Sequence, residues 1–431
     1  MEKFTPIRQK PQPHNFKKGD VLVLFGELFN RGYANGLVEE AERCGLTIIR
    51  ATVGRRDENQ NLRALTAEES AHIPKPFINI PLEAGFDLEK DSSGQAPVDY
   101  LKSVKLSEWQ NAQVPEKTLL ECRQKSRERF KQQTRDFIQK VSELVPAGAH
   151  VHFAHLMAGG VPRTKIVMPL MNRVFKGTKD RYLKSTDFWQ SPIGRFLEMN
   201  FAEVTAETFH MLVSESTEFR DKVQKQGGTV SYVAYGYHGT EVMIHNDYKW
   251  QSYAPYLQGW AKIQLENYSK DWSAKGVQCC VYNCPEILTN SSSIFQGVEI
   301  PLYNLIRALE KEGPQSEVTK KLKSQCQEIL KNPDDLDAIY KKVDAFMDYS
   351  EKIGTSIYKN WPQHSIQEQL ETTLALSDEI ISMHKDEKVM LTAPLSEVIF
   401  KSCGYIMLHD GFKPQNPVGW IGHDIVAKCA L

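Results

Sequence analysis

The sequence lacks any long run of apolar residues, and this absence narrows the class of protein. No stretch of the 431 residues approaches the roughly 18 consecutive apolar residues that a membrane span needs, so we expect no transmembrane helix. The first 20 residues, Met1–Asp20, contain no apolar core of the kind that a secretory signal peptide requires. We therefore expect a cytoplasmic protein.

The chain also lacks a charge bias and a paired-cysteine pattern. Lys and Arg number 53 against 54 Asp and Glu, and the formal net charge is −1. This balance gives no general attraction to nucleic acid or to an anionic membrane, so we expect neither as a partner. The eight cysteines are scattered and do not form a disulfide framework. Cys280 and Cys284 have a possible metal spacing, but no second pair complements them, and we predict no metal site.

The sequence does contain an alternation of short apolar runs and helical stretches. Val21–Phe25 is typical of a strand buried on both faces, residues 36–44 have a helical pattern, and residues 46–49 form a second apolar run. This order is the unit that builds parallel sheets. Further strand patterns follow at 77–80, 151–154, 229–234 and 277–282. The alternation predicts an α/β fold with a doubly wound, Rossmann-type parallel sheet.

Composition divides the chain into regions. Residues 1–18 are predicted to be a polar N-terminal arm, and residues 19–313 a Rossmann-type domain that binds the nucleotide and carries the catalytic residues. A polar stretch at about 63–116 is predicted to be an insertion in that domain, and a lid over the substrate is one role for it. Residues 314–431 are mostly helical in pattern and are expected to pack on the catalytic domain as a helical extension.

The turn after the first apolar run has the context of a phosphate-binding site. It follows a strand and opens a helix, glycines let the backbone approach a pyrophosphate, and the helix N-terminus offers free N–H groups. Asn30 stands where short-chain reductases usually have glycine, and asparagine tolerates left-handed backbone better than most residues. We predict that the cofactor is bound by Gly26, Asn30, Gly32 and Tyr33. The alternative is a strand–helix turn without a ligand.

The residues after the second apolar run bear on the choice of cofactor. An acidic residue at this place would bind the ribose 2′-hydroxyl, whereas arginines accommodate a 2′-phosphate. Arg55 and Arg56 occupy the place here, so NADPH is the predicted cofactor and NADH the alternative. A solvated charge run is the interpretation without a ligand.

Three tyrosines precede a lysine in the segment 247–262. A carbonyl-directed reductase needs a proton donor, and tyrosine serves if a nearby ammonium group stabilises its anion. The usual Tyr-x3-Lys spacing is absent, because Gln258 lies four residues before Lys262. Pro255 indicates that a helix begins there, so Tyr253 would lie in the preceding loop and be able to fold back toward Lys262.

The other two tyrosines, Tyr248 and Tyr256, stay open as candidates for the proton donor. Tyr256 is six residues from Lys262 and is poorly aligned with it on a helix of about 3.6 residues per turn. An aromatic-rich helix start that only packs on a neighbour is the interpretation without catalysis.

The Tyr253-x8-Lys262 spacing resembles that of the V-type (FabV) enoyl-acyl carrier protein reductases and the trans-2-enoyl-CoA reductases. These are enlarged members of the short-chain dehydrogenase/reductase class. Ordered matches on either side cover roughly residues 150–313, and they are Leu156–Thr164, Tyr237–Gly239, Leu288–Ile294, Ile300–Tyr303 and Leu309–Gly313. The sequence therefore resembles a distant member of this family.

This resemblance implies an NAD(P)H-dependent reduction of a trans-2-enoyl thioester on acyl carrier protein or coenzyme A. It implies that Tyr253 protonates or hydrogen-bonds the enolate oxygen, that Lys262 supports this tyrosine and the cofactor, and that Tyr237 lies near the thioester carbonyl. The implied cofactor contacts also include Ala158, Gly159 and Thr289, and the implied substrate contacts are Tyr237, Ser291, Ser292 and Ile294. The family further implies a monomer.

Departures from the family pattern leave other activities open. The glycine turn is altered, and six extra residues separate Tyr237 from Lys262. A ketoacyl reductase of the short-chain type and a catalytically silent nucleotide-binding relative are therefore alternatives. A metallo-hydrolase is a rival of another class, because His150, His152 and His155 resemble its opening metal motif. The usual aspartate of that motif is replaced by Ala154.

Overall fold

The computed structural model describes residues 4–237, 239–251, 259–289, 296–352 and 366–431. The strands in these residues are numbered in chain order. They are β1 (Val21–Phe25), β2 (Thr47–Val53), β3 (Arg55–Arg56), β4 (Leu62–Arg63), β5 (Phe77–Leu82), β6 (Val151–His155), β7 (Val230–Gly236), β8 (Thr240–Ile244), β9 (Asp247–Gln251), β10 (Gln278–Asn283) and β11 (Val418–Trp420).

The helices of the same residues flank the strands. They are α1 (Tyr33–Arg43), α2 (Ala67–Ser70), α3 (Glu116–Leu144), α4 (Val167–Lys176), α5 (Ser185–Trp189), α6 (Pro192–Ala202), α7 (Thr208–Glu215), α8 (Thr217–Lys225), α9 (Gly259–Ala274), α10 (Glu299–Glu312), α11 (Glu317–Ile329), α12 (Asp335–Lys352), α13 (Gln367–Ser382), α14 (Thr392–His409) and α15 (His423–Ala430). A π-helical turn, Glu203–Glu207, joins α6 to α7. Within the described ranges, no helix has the length and apolarity needed to cross a bilayer.

Seven strands form one parallel sheet in the order β5-β2-β1-β6-β7-β10-β11. From β1 the chain moves outward through β2 and β5, and it then returns to build the other half from β6. The reversal between β1 and β6 is the topological switch point, where open α/β sheets bind their ligands. The predicted Rossmann-type α/β fold is confirmed.

The first strand shows why its apolar run folds in the middle of the sheet. All five residues of β1 are buried, and its two edges pair with β2 and β6. Leu22 and Leu24 pack in the core on one face of the sheet, whereas Val21, Val23 and Phe25 pack in the core on the other face. This alternation follows from the two-residue period of a strand. A charged residue in β1 would therefore be buried on either face.

The stretch predicted to be an insertion contributes to the core. It includes β5, which pairs with β2 at the edge of the sheet. The loop after β5 then places Phe86, Val98 and Trp109 in a third core, which is shared with α4, α5 and α6. The polar composition of 86–116 thus conceals a few apolar anchors that hold the loop on the domain.

The described residues of the segment 314–431 are mostly helical, but they also complete the sheet. Strand β11 pairs in parallel with β10, and the N-terminal arm joins it because the Ile7 N–H donates to the Trp420 carbonyl at 2.9 Å. A boundary at residue 313 therefore cuts through one sheet. Three residues, Val418–Trp420, are too few to show a strand period in the sequence, which is why the strand was not predicted.

Two glycines bring α1 and α14 into backbone contact. A methyl group on Gly36 would overlap the carbonyl of Phe400, and a methyl group on Gly404 would overlap the backbone of Gly36. Apolar side chains on both helices pack around this crossing in the core on the same face of the sheet. The position of α1 therefore depends on a helix near the end of the sequence.

We predict that Gly404→Ala lowers the free energy of unfolding by about 2 kcal/mol or more, because the added methyl must push two backbones apart. Urea denaturation followed by circular dichroism measures this change. Lys321→Ala on the exposed side of α11 is the control, with an expected change of about 0.5 kcal/mol. Equal midpoints for the wild type and Gly404→Ala would show that the helices do not touch at these glycines.

Candidate active site

A cleft of about 950 Å³, including its open mouth, lies at the carboxyl ends of β1, β6 and β7. Six of the predicted site residues line it, although they come from five separate parts of the chain. They are Gly32, Tyr33, Ala158, Tyr237, Lys262 and Thr289. A second hollow adjoins the cleft at Glu27, Phe29 and Leu156, and it extends over the ends of β2 and β5. Together they form a continuous groove across the switch point.

The turn between β1 and α1 leaves the helix N-terminus open to the cleft. Gly26 has φ 126° and sits so close to Leu156 that a side chain would crowd it, whereas Gly32 has φ 152° and open space in front of it. Asn35 fixes the turn, since its amide donates to the carbonyls of Phe29 and Gly32 at 3.0 and 3.1 Å. No side chain of the described residues caps α1. This arrangement fits a phosphate group, which would meet free N–H groups and the positive end of the helix dipole.

The other predicted member of the turn, Asn30, is exposed and does not line the cleft. The stabilising role of an asparagine in this turn is instead taken by Asn35. That residue holds the turn through its side chain, and the contact of Asn30 with the cofactor stays a prediction.

Lys262 projects into the cleft from the first turn of α9. Its ammonium group donates to the carbonyl of Tyr235 at 2.8 Å. Burial lowers the pKa of Lys262 to about 8, because loss of solvent disfavours the charged form. A lysine in this state changes charge close to neutral pH, which is typical of functional sites.

Tyr237 lies just beyond β7 and lines the same cleft. Its hydroxyl donates to the carboxylate of Glu286 at 2.7 Å, and Glu286 is buried after β10. Burial raises the pKa of Glu286 to about 7. The hydrogen bond fixes the orientation of the Tyr237 ring. Sequence reasoning missed Glu286, although it lies only three residues before Thr289.

Two further tyrosines connect the turn to the lysine. The Tyr33 hydroxyl donates to the Pro285 carbonyl at 2.5 Å, and its ring stacks on Tyr235 with centroids 5.8 Å apart. Tyr235 is the residue whose carbonyl accepts from Lys262. The alternation along β7 was the sequence signal available for Tyr235, since it shares a face with Tyr237.

The loop after β6 is held by the helix pair α6–α7. The Asn200 amide donates to the Gly160 carbonyl at 2.7 Å, and the Thr205 hydroxyl donates to the Gly159 carbonyl at 3.2 Å. Gly160 has no room for a side chain beside the Asn200 carbonyl. Ala158 is exposed and lines both the cleft and the second hollow. The loop therefore has a fixed backbone at the middle of the groove.

Both arginines predicted to read a 2′-phosphate are paired with carboxylates. Arg55 donates twice to Glu27, at 3.1 and 3.0 Å, and Arg56 donates to Glu83 at 3.2 to 3.3 Å. The hydrogen bonds that Arg55 donates to Glu27 raise the pKa of Arg55. Neither arginine lines the cleft or the second hollow, although Gly54 does.

The three histidines of the possible metal motif are not arranged as ligands of one ion. His150, His152 and His155 bond separately to the hydroxyls of three residues on neighbouring elements, Thr229, Ser231 and Thr208. Burial lowers the pKa of His152 to about 3 and that of His155 well below its usual value, so both are neutral. The metallo-hydrolase interpretation therefore has no support from their positions.

Within the described ranges, one other group brings potential metal ligands together, namely Glu40, Cys44 and His409. The Glu40 carboxylate is bound there by Arg43 and by His409, the latter at 2.7 Å. These partners account for the cluster without an ion.

Several predicted site residues lie outside the described ranges, namely Tyr253, Tyr256, Ser291, Ser292 and Ile294. Tyr248, the third tyrosine candidate, is described and lies in β9. Its hydroxyl donates to Glu312 of α10 at 2.7 Å, and the residue does not line the cleft.

The doubly wound sheet, the open helix N-terminus and the buried lysine beside it define a dinucleotide-dependent oxidoreductase. The family model described as enoyl-acyl carrier protein reductase FabMG matches residues 3–430, and the chain belongs to this family. The predicted class of enzyme, an NAD(P)H-dependent enoyl reductase, is thereby confirmed.

Solved structures agree with this assignment. An apo structure of FabMG, described as a novel type of enoyl-acyl carrier protein reductase, is 41% identical, with 100% of this chain and 98% of that chain covered and a TM-score of 0.95. An NADH-bound FabMG structure is 36% identical, with 99% and 98% covered and a TM-score of 0.79. The trans-2-enoyl-CoA reductase of Clostridium acetobutulicum is 12% identical, with 94% and 87% covered and a TM-score of 0.32, too distant to carry an argument. No curated protein matches the chain.

We predict that NADH binds several-fold more weakly at pH 9.5 than at pH 7, because Lys262 loses its charge as the pH rises through about 8. Fluorescence titration measures this dissociation constant. Lys262→Met removes the titrating group, so its affinity is expected to be lower at pH 7 and to change little with pH. Lys275→Met, an exposed change on the loop after α9, is the control and keeps the wild-type profile. A wild-type affinity that does not change across this range would remove Lys262 from the cofactor site.

Proposed function

We propose that the chain reduces the trans-2 double bond of an enoyl thioester carried by an acyl carrier protein. The observation that supports this proposal most directly is that Tyr237 and Lys262 line one cleft with the open turn at Gly32. One end of the cleft thus suits a pyrophosphate, and the other end offers a hydroxyl and an ammonium group for a polarised carbonyl. The monomeric state and the use of coenzyme A thioesters stay predictions.

The cofactor residues follow from the course of the groove. Gly32 and Tyr33 would hold the pyrophosphate at the start of α1, while Lys262 and Thr289 would contact the nicotinamide half. The adenosine half would lie in the second hollow, over Gly54. When bound, the nicotinamide supplies the hydride that is added to the β-carbon of the substrate.

The chain's own residues would handle the charge that develops on the thioester. In the enolate this charge lies on the carbonyl oxygen, and preorganised donors that stabilise it are an effective form of catalysis. We assign proton donation at this oxygen to Tyr253, by its Tyr-x8-Lys pattern with Lys262, which is the feature shared with the V-type enzymes. The ammonium group of Lys262 would stabilise the tyrosine anion that remains.

Tyr237 is assigned the second contact with the thioester carbonyl. Before the substrate binds, its hydroxyl group donates its one hydrogen to Glu286, so the carboxylate sets the angle at which the phenol ring faces the cleft. The hydroxyl would release Glu286 in order to donate to the thioester carbonyl. By the same family pattern, Ser291, Ser292 and Ile294 are assigned to the substrate. His155 is neutral and buried at the floor of the cleft, and it would help to keep water from the reacting atoms.

We predict that Tyr253→Phe lowers kcat for crotonyl-acyl carrier protein by at least 100-fold, since general acid catalysis contributes about 10²- to 10⁴-fold. The dissociation constant for NADH should change by less than threefold. Stopped-flow oxidation of NADH and fluorescence titration measure the two quantities.

Tyr248→Phe is the matched control, because the Tyr248 hydroxyl is bonded to Glu312 away from the cleft. This variant should keep its kcat. An active Tyr253→Phe together with an inactive Tyr256→Phe would move the catalytic role to Tyr256.

We further propose that the cofactor is NADH rather than NADPH. A 2′-phosphate would bring additional negative charge to the end of β2, where Arg55 and Arg56 already face Glu27 and Glu83. Arg163 in the second hollow is also neutralised, by Glu83 and Asp87. Each arginine would have to leave a carboxylate before it could bind the phosphate. The ribose 2′-hydroxyl of NADH makes no such demand, and Glu27 lines both parts of the groove as a possible acceptor.

The prediction for the wild type is a kcat/KM at least tenfold higher with NADH than with NADPH. Glu27→Gln removes one carboxylate and releases Arg55. The preference for NADH over NADPH should therefore become smaller, because the KM for NADPH falls. Glu42→Gln, an exposed acid on α1, serves as the control for loss of one negative charge. A wild-type preference for NADPH would restore the role that the sequence suggested for the two arginines.

A further inference from the structure

The region from just before α4 to the start of α5 is strongly basic in a chain of almost no net charge. Residues 165–184 contain six Lys and Arg residues and one Asp. Five of these cations form what we call the basic surface, and four of the five are exposed while Arg173 is half-buried. They are Lys165, Arg173, Lys179, Arg181 and Lys184.

The basic surface has few acidic partners, and the one that the structure shows is Glu371, whose carboxylate interacts with Lys179. Among the described residues, none of the five forms an ion pair with a carboxylate within 4.0 Å. Two arginines near the groove behave differently, since Arg55 and Arg163 are each matched by acidic side chains. Unmatched charges of one sign create a potential that reaches about 8 Å from the surface at physiological salt. Such a surface selects a partner with acidic groups.

The backbone of the basic surface is fixed. Lys179 has φ 49°, a conformation that costs free energy for a lysine, and its N–H donates to the Glu371 carboxylate of α13 at 3.0 Å. The three residues Lys179–Arg181 form a short 3-10 turn. Rigid presentation lowers the entropy lost when a partner binds.

The basic surface is connected to the active site on two sides. Lys165 follows the loop that carries Ala158 into the cleft. Helix α13, which binds the turn at Lys179, also places Gln369 and Thr373 in a small, mostly apolar hollow. Glu286 lines this hollow and accepts the hydrogen bond of Tyr237, which lines the cleft.

We propose that the basic surface is the docking site for the acidic face of the acyl carrier protein. The proposal rests on the proposed function, because the carrier must present its thioester to the cleft. A carrier docked at α4 and α13 would stand beside the hollow that Glu286 lines. Its prosthetic arm would approach the cleft from this side, and the excess of cations would also speed the encounter of the two proteins.

The test measures carrier binding directly, so that it does not depend on turnover. Fluorescence anisotropy gives the dissociation constant for a labelled crotonyl-acyl carrier protein with the wild type and with the double variant Arg181→Glu, Lys184→Glu. We expect binding at least tenfold weaker in the variant, and a smaller loss of affinity on raising the salt concentration. NADH affinity should stay unchanged, because neither residue lines the groove.

The matched control is Lys320→Glu, Lys321→Glu on α11, which makes the same change of charge on an element that lines neither the cleft nor the hollows. This control should bind the carrier within twofold of the wild type. Equal binding by the wild type and the Arg181→Glu, Lys184→Glu variant would overturn the docking site, as would an equal loss in the control.

Steady-state kinetics separate this proposal from the proposed function. With crotonyl-acyl carrier protein, kcat/KM should fall at least tenfold in the Arg181→Glu, Lys184→Glu variant, and with crotonyl-CoA it should stay within twofold. An equal fall with both would mean that the cations bind a phosphate of the arm, which overturns carrier docking. Failure of the wild type to reduce either thioester would contradict the proposed function alone, since the binding experiment still decides the docking site.

Discussion

The contact between Gly36 of α1 and Gly404 of α14 is the constraint on which the groove depends. Helix α1 offers its N-terminus to the cleft, and its direction fixes where a pyrophosphate would lie. The backbones of the two helices touch at these glycines, because any side chain there would overlap a carbonyl or a backbone atom. This contact fixes the distance between α1 and α14. Burial of Leu37 and Ala41 beside Cys403 and Ile406 secures the crossing. Helix α14 thus positions the turn between β1 and α1, which forms part of the nucleotide site.

Burial shifts the pKa values of two ionisable groups at the other end of the groove. Lys262 and Glu286 are both removed from water, and each has a pKa that burial moves toward neutrality, to about 8 and about 7. A hydrogen bond links each of them to a tyrosine segment at the end of β7. Strand β7 therefore determines the distance between the ammonium group of Lys262 and the carboxylate of Glu286, which orients the phenol of Tyr237. A shift of this strand along the sheet would separate both pairs at once.

The sequence predicted best those features that leave a regular local pattern of residues, such as a buried strand or a motif of fixed spacing. The apolar run Val21–Phe25 predicted a central strand because both faces of a parallel sheet are buried. Lys262 was found through its spacing from Tyr253 and Tyr237 through its resemblance to a family motif, and both line the cleft. The roles of Tyr253 and of the serine segment stay predictions.

What the sequence could not predict depends on contacts between remote residues. Glu286 looks like an ordinary acidic residue until burial and Tyr237 are known. Arg55 and Arg56 look free until Glu27 and Glu83 are placed opposite them, and these partners are 27 or 28 residues away in the chain. Strand β11 was missed because three residues cannot show a period.

The junction of α1 with α14 also has a consequence for how the protein is made. Glu40 and His409, which are hydrogen-bonded across it, are separated by 369 residues. Contacts so distant in sequence form late, because a long loop must close before they contribute any stability. During synthesis, β1 and α1 leave the ribosome long before their packing partner exists, and the apolar side of α1 is exposed in the meantime. The nucleotide site therefore matures only after α14 has been synthesised, and a chain stopped before residue 392 would contain every cleft-lining residue of the described ranges without a stable α1.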